Sequence, residues 1–192
     1  MKLDLRLTNR FLDQLWCKAI VVFLFEAASR QQEYLSKTNK ALADFLKPLI
    51  DSRFITGTKG EFVLIAPQHR IKAEKLLFVG LGTASRYSAR ILPAMARKLA
   101  SAIDRLRVDE FCIMVPHFEG GNRQHEKFVQ SMVRGMMDHY GKKTNDMVDF
   151  ILRVFISIDR DVCSDMHSLQ QSLRSGLDSQ LEYTIVIDES RG

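Results

Sequence analysis

The chain has 192 residues, 46% hydrophobic and 27% charged, with a formal net charge of +5. That length suits one domain able to bury about 70% of its unfolded surface, so neither a disulfide framework nor a structural metal is needed for folding. Three cysteines without a C-x-x-C pair fit a reducing, cytoplasmic setting, and the longest apolar run, Ala19 to Phe25, falls well short of the about 20 residues of a membrane span.

At the N-terminus, Leu3, Leu5 and Leu7 alternate with Lys2, Asp4 and Arg6. This period of two predicts a strand with one wet face, and the missing apolar core excludes a signal peptide. The strand is expected at a sheet edge, where unpaired backbone groups invite another chain. Ala19 to Phe25 is apolar on both faces, as in a central strand covered by helices on each side. From Lys37 to Ile50 the residues Leu42, Phe45, Leu46, Leu49 and Ile50 recur at helical spacing, and Pro48 should end or bend that helix early. Phe62 to Ala66 and Leu76 to Val79 read as two further strands.

Between Ser88 and Leu106 an apolar stripe of Leu92, Met95, Leu99, Ala102, Ile103 and Leu106 opposes Arg90, Arg97, Lys98 and Arg105. Pro93 fits this helix only within its first turn. Phe111 to Val115 is a strand holding Cys112 as a buried free thiol. Arg123 to Tyr140 is a helix burying Phe128, Val129, Met132, Val133, Met136 and Met137, stopped by Gly141. Phe150 to Ile158 alternates again, Asp161 is expected to cap a helix carrying Val162, Met166, Leu169 and Leu173 as far as Gly176, and Tyr183 to Ile187 is the last strand. The order β-β-α-β-β-α-β-α-β-α-β, with no repeat and no low-complexity linker, predicts a single three-layer α/β/α domain over residues 1–192. The adjacent, hairpin-like strand pairs predict a mixed central sheet.

Phe54-Ile-Thr-Gly57-Thr-Lys-Gly60-Glu61, a strand, Lys75-Leu-Leu-Phe-Val-Gly80-Leu-Gly82 and then a long helix bearing alanine and arginine follow one another. In this order they resemble the N-terminal domain of the leucine aminopeptidase family, over residues 18 to 177. The resemblance implies a macro-domain-like fold, a tendency to form homo-oligomers and, in some members, contacts with DNA. It also implies that the family's chemistry lies in a second, C-terminal domain, where lysine, aspartate and glutamate hold two metal ions around an N-T-D-A-E-G-R motif. The sequence as far as Gly192 contains no such motif. No family catalytic residue therefore carries over, and the expectation is a non-catalytic, stand-alone domain acting in assembly or partner binding, as a homo-oligomer or with a separate peptidase subunit.

Two glycine loops could make a site of their own. Gly80-x-Gly82 leaves a strand and matches the first two glycines of a dinucleotide fingerprint, with Ser85 in the third place. Pro116-His-Phe-Glu-Gly120-Gly121-Asn122 also leaves a strand and enters a helix. If the two strands were parallel neighbours, Gly80, Gly82, Thr83, His117, Gly120, Gly121 and Asn122 would share the carboxyl edge of the sheet, where α/β proteins bind ligands and helix-start N–H groups suit an anion. A nucleotide-like or anionic ligand, bound or hydrolysed there, is the alternative function. The competing reading is that glycine only permits tight turns, and the resemblance favours it, because the family's V-G-L-G segment is not catalytic.

A third reading, nucleic-acid binding, rests on Arg90, Arg97, Lys98 and Arg105, which a solvated helix face explains equally well. His69, His117, His125, His139 and His167 show no H-E-x-x-H spacing, and there is no G-x-S-x-G elbow. No metal site and no cofactor are expected. Cys163, near a helix start, reads as an inert thiol, and the acidic pairs Asp109-Glu110 and Asp188-Glu189 read as solvated.

Overall fold

A computed structural model describes residues 1–10, 15–26, 39–68, 71–118, 122–142, 150–159, 165–177 and 181–188. The elements are β1 (Lys2–Thr8), β2 (Cys17–Phe25), α1 (Lys40–Asp51), β3 (Phe62–Ile65), β4 (Ala73–Gly82), α2 (Leu92–Leu106), β5 (Glu110–Met114), α3 (Asn122–Tyr140), β6 (Ile151–Ser157), α4 (Met166–Gly176) and β7 (Glu182–Asp188). Two short 3-10 turns, Ala84–Arg86 and Ala89–Ile91, lie between β4 and α2. The sequence of strands and helices is the one the periodicities predict.

The strands form one sheet in the order β3-β4-β2-β5-β6-β1-β7. Every pairing is parallel except β3 with β4. The sheet is therefore mixed, and helices on its two faces complete three α/β/α layers. Ala19, Val21 and Phe23 of β2 point into a larger core built with α2, α3 and α4, while Ile20, Val22 and Leu24 join a smaller one with Leu42 and Leu46 of α1. Burial on both faces is why the run from Ala19 to Phe25 has no polar position.

Local signals set several helix ends. The Asn39 side chain accepts the Leu42 N–H at 2.9 Å and starts α1. The helix runs through Pro48 to Asp51, and the Ser52 N–H donates to the Pro48 carbonyl at 3.1 Å. Pro48 lies in the last turn, where it removes one ladder bond, and the helix ends three residues beyond it at Asp51. Pro93 sits in the first turn of α2. Asp165 accepts the Ser168 N–H at 2.9 Å and caps α4; Asp161, Val162 and Cys163 lie outside the described residues, as do His69 and Glu189.

The placement of β1 overturns the expectation of an edge strand. It lies between β6 and β7, parallel to both, and does not pair with β2. Leu3, Leu5 and Leu7 are fully buried. The opposite face carries a cross-strand network in place of a wet surface. The Asp4 carboxylate accepts from Arg153 Nε at 3.0 Å, Arg6 Nε at 3.1 Å and Thr184 Oγ1 at 3.1 Å. Arg153 Nη1 reaches on to Glu110 at 3.1 Å, Lys18 pairs with Asp109 at 2.6 Å, and Arg10 with Asp188 at 2.8 Å. Asp109, Glu110 and Asp188 are thus ion-paired and not merely solvated.

Burial alone would raise the pKa of Asp4, but the hydrogen bonds from Arg153, Arg6 and Thr184 outweigh it and hold the carboxyl below its ordinary value. A carboxyl depressed in the folded state stabilises the protein above the ordinary carboxylate range, and that contribution fades as the pH falls below about 4. Asp4→Asn should lower stability at neutral pH by about 1–3 kcal/mol and flatten the loss of stability below about pH 4. Denaturant titrations across pH would test this, and parallel stability curves for variant and wild type would contradict it.

Candidate functional site

β4 and β5 are parallel, but β2 lies between them. The two glycine loops leave the same edge of the sheet two strand spacings apart, about 10 Å, and are not the adjacent pair the sequence suggested. Gly80 and Gly82 form the end of β4, Thr83 follows in an exposed position, and His117 is exposed after β5. Gly120 and Gly121 lie outside the described residues; Asn122 begins α3, with its side chain likewise outside them.

The N–H groups of Gly80 and Gly82 are already engaged within the chain. The Gly80 N–H donates to the Glu61 carbonyl at 2.9 Å, and the Gly82 N–H to the Gly57 carbonyl at 2.8 Å. In return the Gly60 N–H donates to the Gly80 carbonyl at 3.0 Å. The segment from Gly57 to Gly60 lies so close on the end of β4 that a Cβ at Gly80 would fall 1.9 Å from the Thr58 carbonyl oxygen. Within that segment the Glu61 carboxylate accepts the Gly57 N–H at 2.7 Å and the Thr56 N–H at 3.1 Å. The two glycine-bearing stretches that carry the resemblance are therefore one packed unit.

Aromatic residues fill the space between the loops. Phe25 ends β2, and its ring centroid lies 5.5 Å from that of Tyr87 and 6.0 Å from that of Phe118. Tyr87 and Phe118, one from each loop, are 5.1 Å apart. The buried His125 accepts the Phe118 N–H on Nε2 at 3.1 Å, which places its ring proton on Nδ1 in the neutral form. The Tyr87 hydroxyl is buried with no hydrogen-bond partner among the described residues, and burial pushes its pKa up. Sequence reading missed this cluster. An aromatic residue a few positions past each strand end was its only signal, and one indistinguishable from ordinary core.

The basic stripe divides. Arg90 lies in the second 3-10 turn, and Arg97 turns toward α3 and pairs with Asp138 at 3.4 Å. Lys98 and Arg105 instead line an open groove of about 550 Å³ between α2 and β3. Among the described residues, no cluster of three or more histidine, cysteine or acidic side chains could hold a metal ion, and no helix is long and apolar enough to cross a membrane.

The six parallel strands, the single antiparallel edge and the helices on both faces make this a macro-domain-like fold. The macro domain of ganglioside induced differentiation associated protein 2 superposes with a TM-score of 0.58 at 13% identity, covering 87% of this chain and 80% of that one. A mutant Oceanobacillus iheyensis macrodomain gives 0.54 at 9% identity, covering 88% and 89%. The chain belongs to the cytosol aminopeptidase family as its N-terminal domain, whose family model matches residues 21–140. It is 24% identical over 137 residues to a probable cytosol aminopeptidase of a Sulfurihydrogenibium species, covering 70% of this chain and 26% of that protein. A mutant tomato leucine aminopeptidase superposes with a TM-score of 0.63 at 11% identity over 91% of this chain and 35% of that one. The chain thus spans only about a quarter to a third of the length of these two aminopeptidases.

Two predictions follow from the edge geometry. Gly80→Ala should cost more than about 3 kcal/mol or prevent folding, because the Gly57–Gly60 segment would have to lift off. At Gly82→Ala the nearest atom is Lys59 Cβ, at 3.0 Å, but φ is +80°, and the change should cost about 1–2 kcal/mol. Urea titrations that gave equal losses at the two positions would refute the ranking. Tyr87→Phe should be neutral or stabilise by up to about 1 kcal/mol, since it removes a buried hydroxyl that has no partner; a clear loss of stability would show that the hydroxyl is in use.

Proposed function

We propose that this domain works by holding a partner polypeptide, further copies of itself or a separate peptidase subunit, and not by chemistry of its own. The observation that supports this reading most is the state of Gly80 and Gly82. Their N–H groups, which a phosphate would need, already donate to Glu61 and Gly57, and Phe25, Tyr87 and Phe118 occupy the space between the loops. Glycine amides that are already bonded within the chain are poorly suited to an anion. The peptidase activity named for the relatives is a property of much longer chains, and the N-T-D-A-E-G-R motif that the family resemblance associates with it is absent from this sequence.

A thermal-shift series with inorganic phosphate, ADP-ribose and a nicotinamide dinucleotide tests the reading. A ligand present at a hundred times its dissociation constant stabilises a protein by about 2.7 kcal/mol, which a melting curve registers clearly. No shift is expected with any of the three. A reproducible shift that disappears in Gly82→Ala would overturn the proposal and make the carboxyl edge a binding site.

A further inference from the structure

We propose that the groove between β3 and α2 receives an extended, acidic and apolar segment of another protein, added as a strand along β3. The inference rests on the partner-binding reading and names its face and the chemistry of the partner.

β3 ends the sheet, and no described strand lies beyond it. Its side chains alternate. Val63 and Ile65 pack toward the α1 core, whereas Phe62 packs on the α2 side, where Leu64 pairs with Leu77. The bond from the Gly80 N–H to the Glu61 carbonyl fixes the phase of this antiparallel ladder. Alternation then turns the backbone groups of Phe62 and Leu64 away from β4, toward whatever lies outside. α2 covers β4 but not the outer strand, so Leu64 is 49% exposed. Phe62, Leu64, Leu77 and Leu106 give the groove its apolar side, and Lys98 and Arg105 its charge.

Those two cations lie two helical turns apart, about 10 Å along the axis. Arg97, by contrast, has Asp138. The Nε of Arg105 donates to the Ser101 carbonyl of its own helix, and neither Lys98 nor Arg105 forms an ion pair among the described residues. An apolar edge beside two unneutralised cations selects carboxylates. It also disfavours a second copy of this chain. Pairing β3 with β3 about a two-fold axis would set Lys98 and Arg105 of both copies opposite one another on one face, in a protein already carrying +5. An extended strand presents every second residue on one face, about 6.6 Å apart. Glutamate, a central leucine and glutamate at alternate positions would therefore meet the two cations and Leu64.

The probe is a fluorescent heptapeptide, Thr-Glu-Thr-Leu-Thr-Glu-Thr, titrated by anisotropy at low salt beside its counterpart with lysine for glutamate. The glutamate peptide should bind, and the lysine peptide should bind at least about tenfold more weakly. The double variant Lys98→Glu, Arg105→Glu should lose about tenfold or more for the glutamate peptide, while Arg97→Ala leaves it unchanged. Both substituted groove positions are exposed, and circular dichroism checks that the variants fold. Failure of the glutamate peptide to bind, equal binding of both peptides, or an equal loss in Arg97→Ala would each overturn the inference. So would a DNA oligonucleotide that binds more tightly and displaces the peptide, or a wild-type dimer that Leu64→Arg dissolves. Absent peptide binding together with absent nucleotide shifts removes this groove and leaves the partner-binding reading standing. A nucleotide shift lost in Gly82→Ala removes that reading without touching the peptide titration.

Discussion

The contact between the Thr58 carbonyl and the backbone of Gly80 is the constraint on which the rest of this molecule turns. No side chain fits between them, so the chain before β3 can lie directly on the end of β4 and exchange hydrogen bonds with it. That seating starts β3 antiparallel beside β4 and makes it the outer strand. The same bonds occupy the amides that a phosphate would otherwise find at a strand-to-helix turn. One steric requirement thus both seats the Gly57–Gly60 segment on β4 and leaves β3 at the margin of the sheet.

The second organising element is β2. With β4 on one side and β5 on the other, it divides the hydrophobic interior into two cores and holds the glycine loops apart. Its last residue, Phe25, fills the interval between them with help from Tyr87 and Phe118. A strand apolar on both faces gains stability from two layers at once, so the centre of the sheet tolerates no polar position, while its margins do. The Asp4 network shows that tolerance. Between β6 and β7, on the face opposite Leu3, Leu5 and Leu7, charge is accommodated because both Asp4 carboxylate oxygens accept bonds, from Arg153 and Thr184 across the strands and from Arg6 within β1, while Arg153 also reaches Glu110.

Charge on α2 shows how one helical stripe can serve two surfaces. Arg97 turns to α3 and is neutralised by Asp138, while Lys98, the next residue, turns to the sheet margin. A step of about 100° per residue is enough to separate them. The four basic side chains that read as one face in the sequence are thereby divided between a surface ion pair with α3, a turn and a groove.

The sequence by itself determined the identity and order of the strands and helices, the double burial of Ala19 to Phe25, the placement of Pro93 in a first turn and the family. Each of these depends on local periodicity, on backbone chemistry within a few residues, or on a short glycine pattern. It did not determine which strands are neighbours. Leu3 to Leu7 looks the same whether it borders solvent or two other strands, because alternation reports burial of one face and says nothing of the two edges. Its partners, β6 and β7, lie some 150 residues away or more, and the Arg153 and Thr184 that engage Asp4 come with them. The glycine loops followed the same logic. Gly80 and Gly82 were visible as turn formers, but whether their N–H groups faced a ligand or the Gly57–Glu61 segment depended on how closely two backbones approach, and only the tertiary structure brings those backbones together.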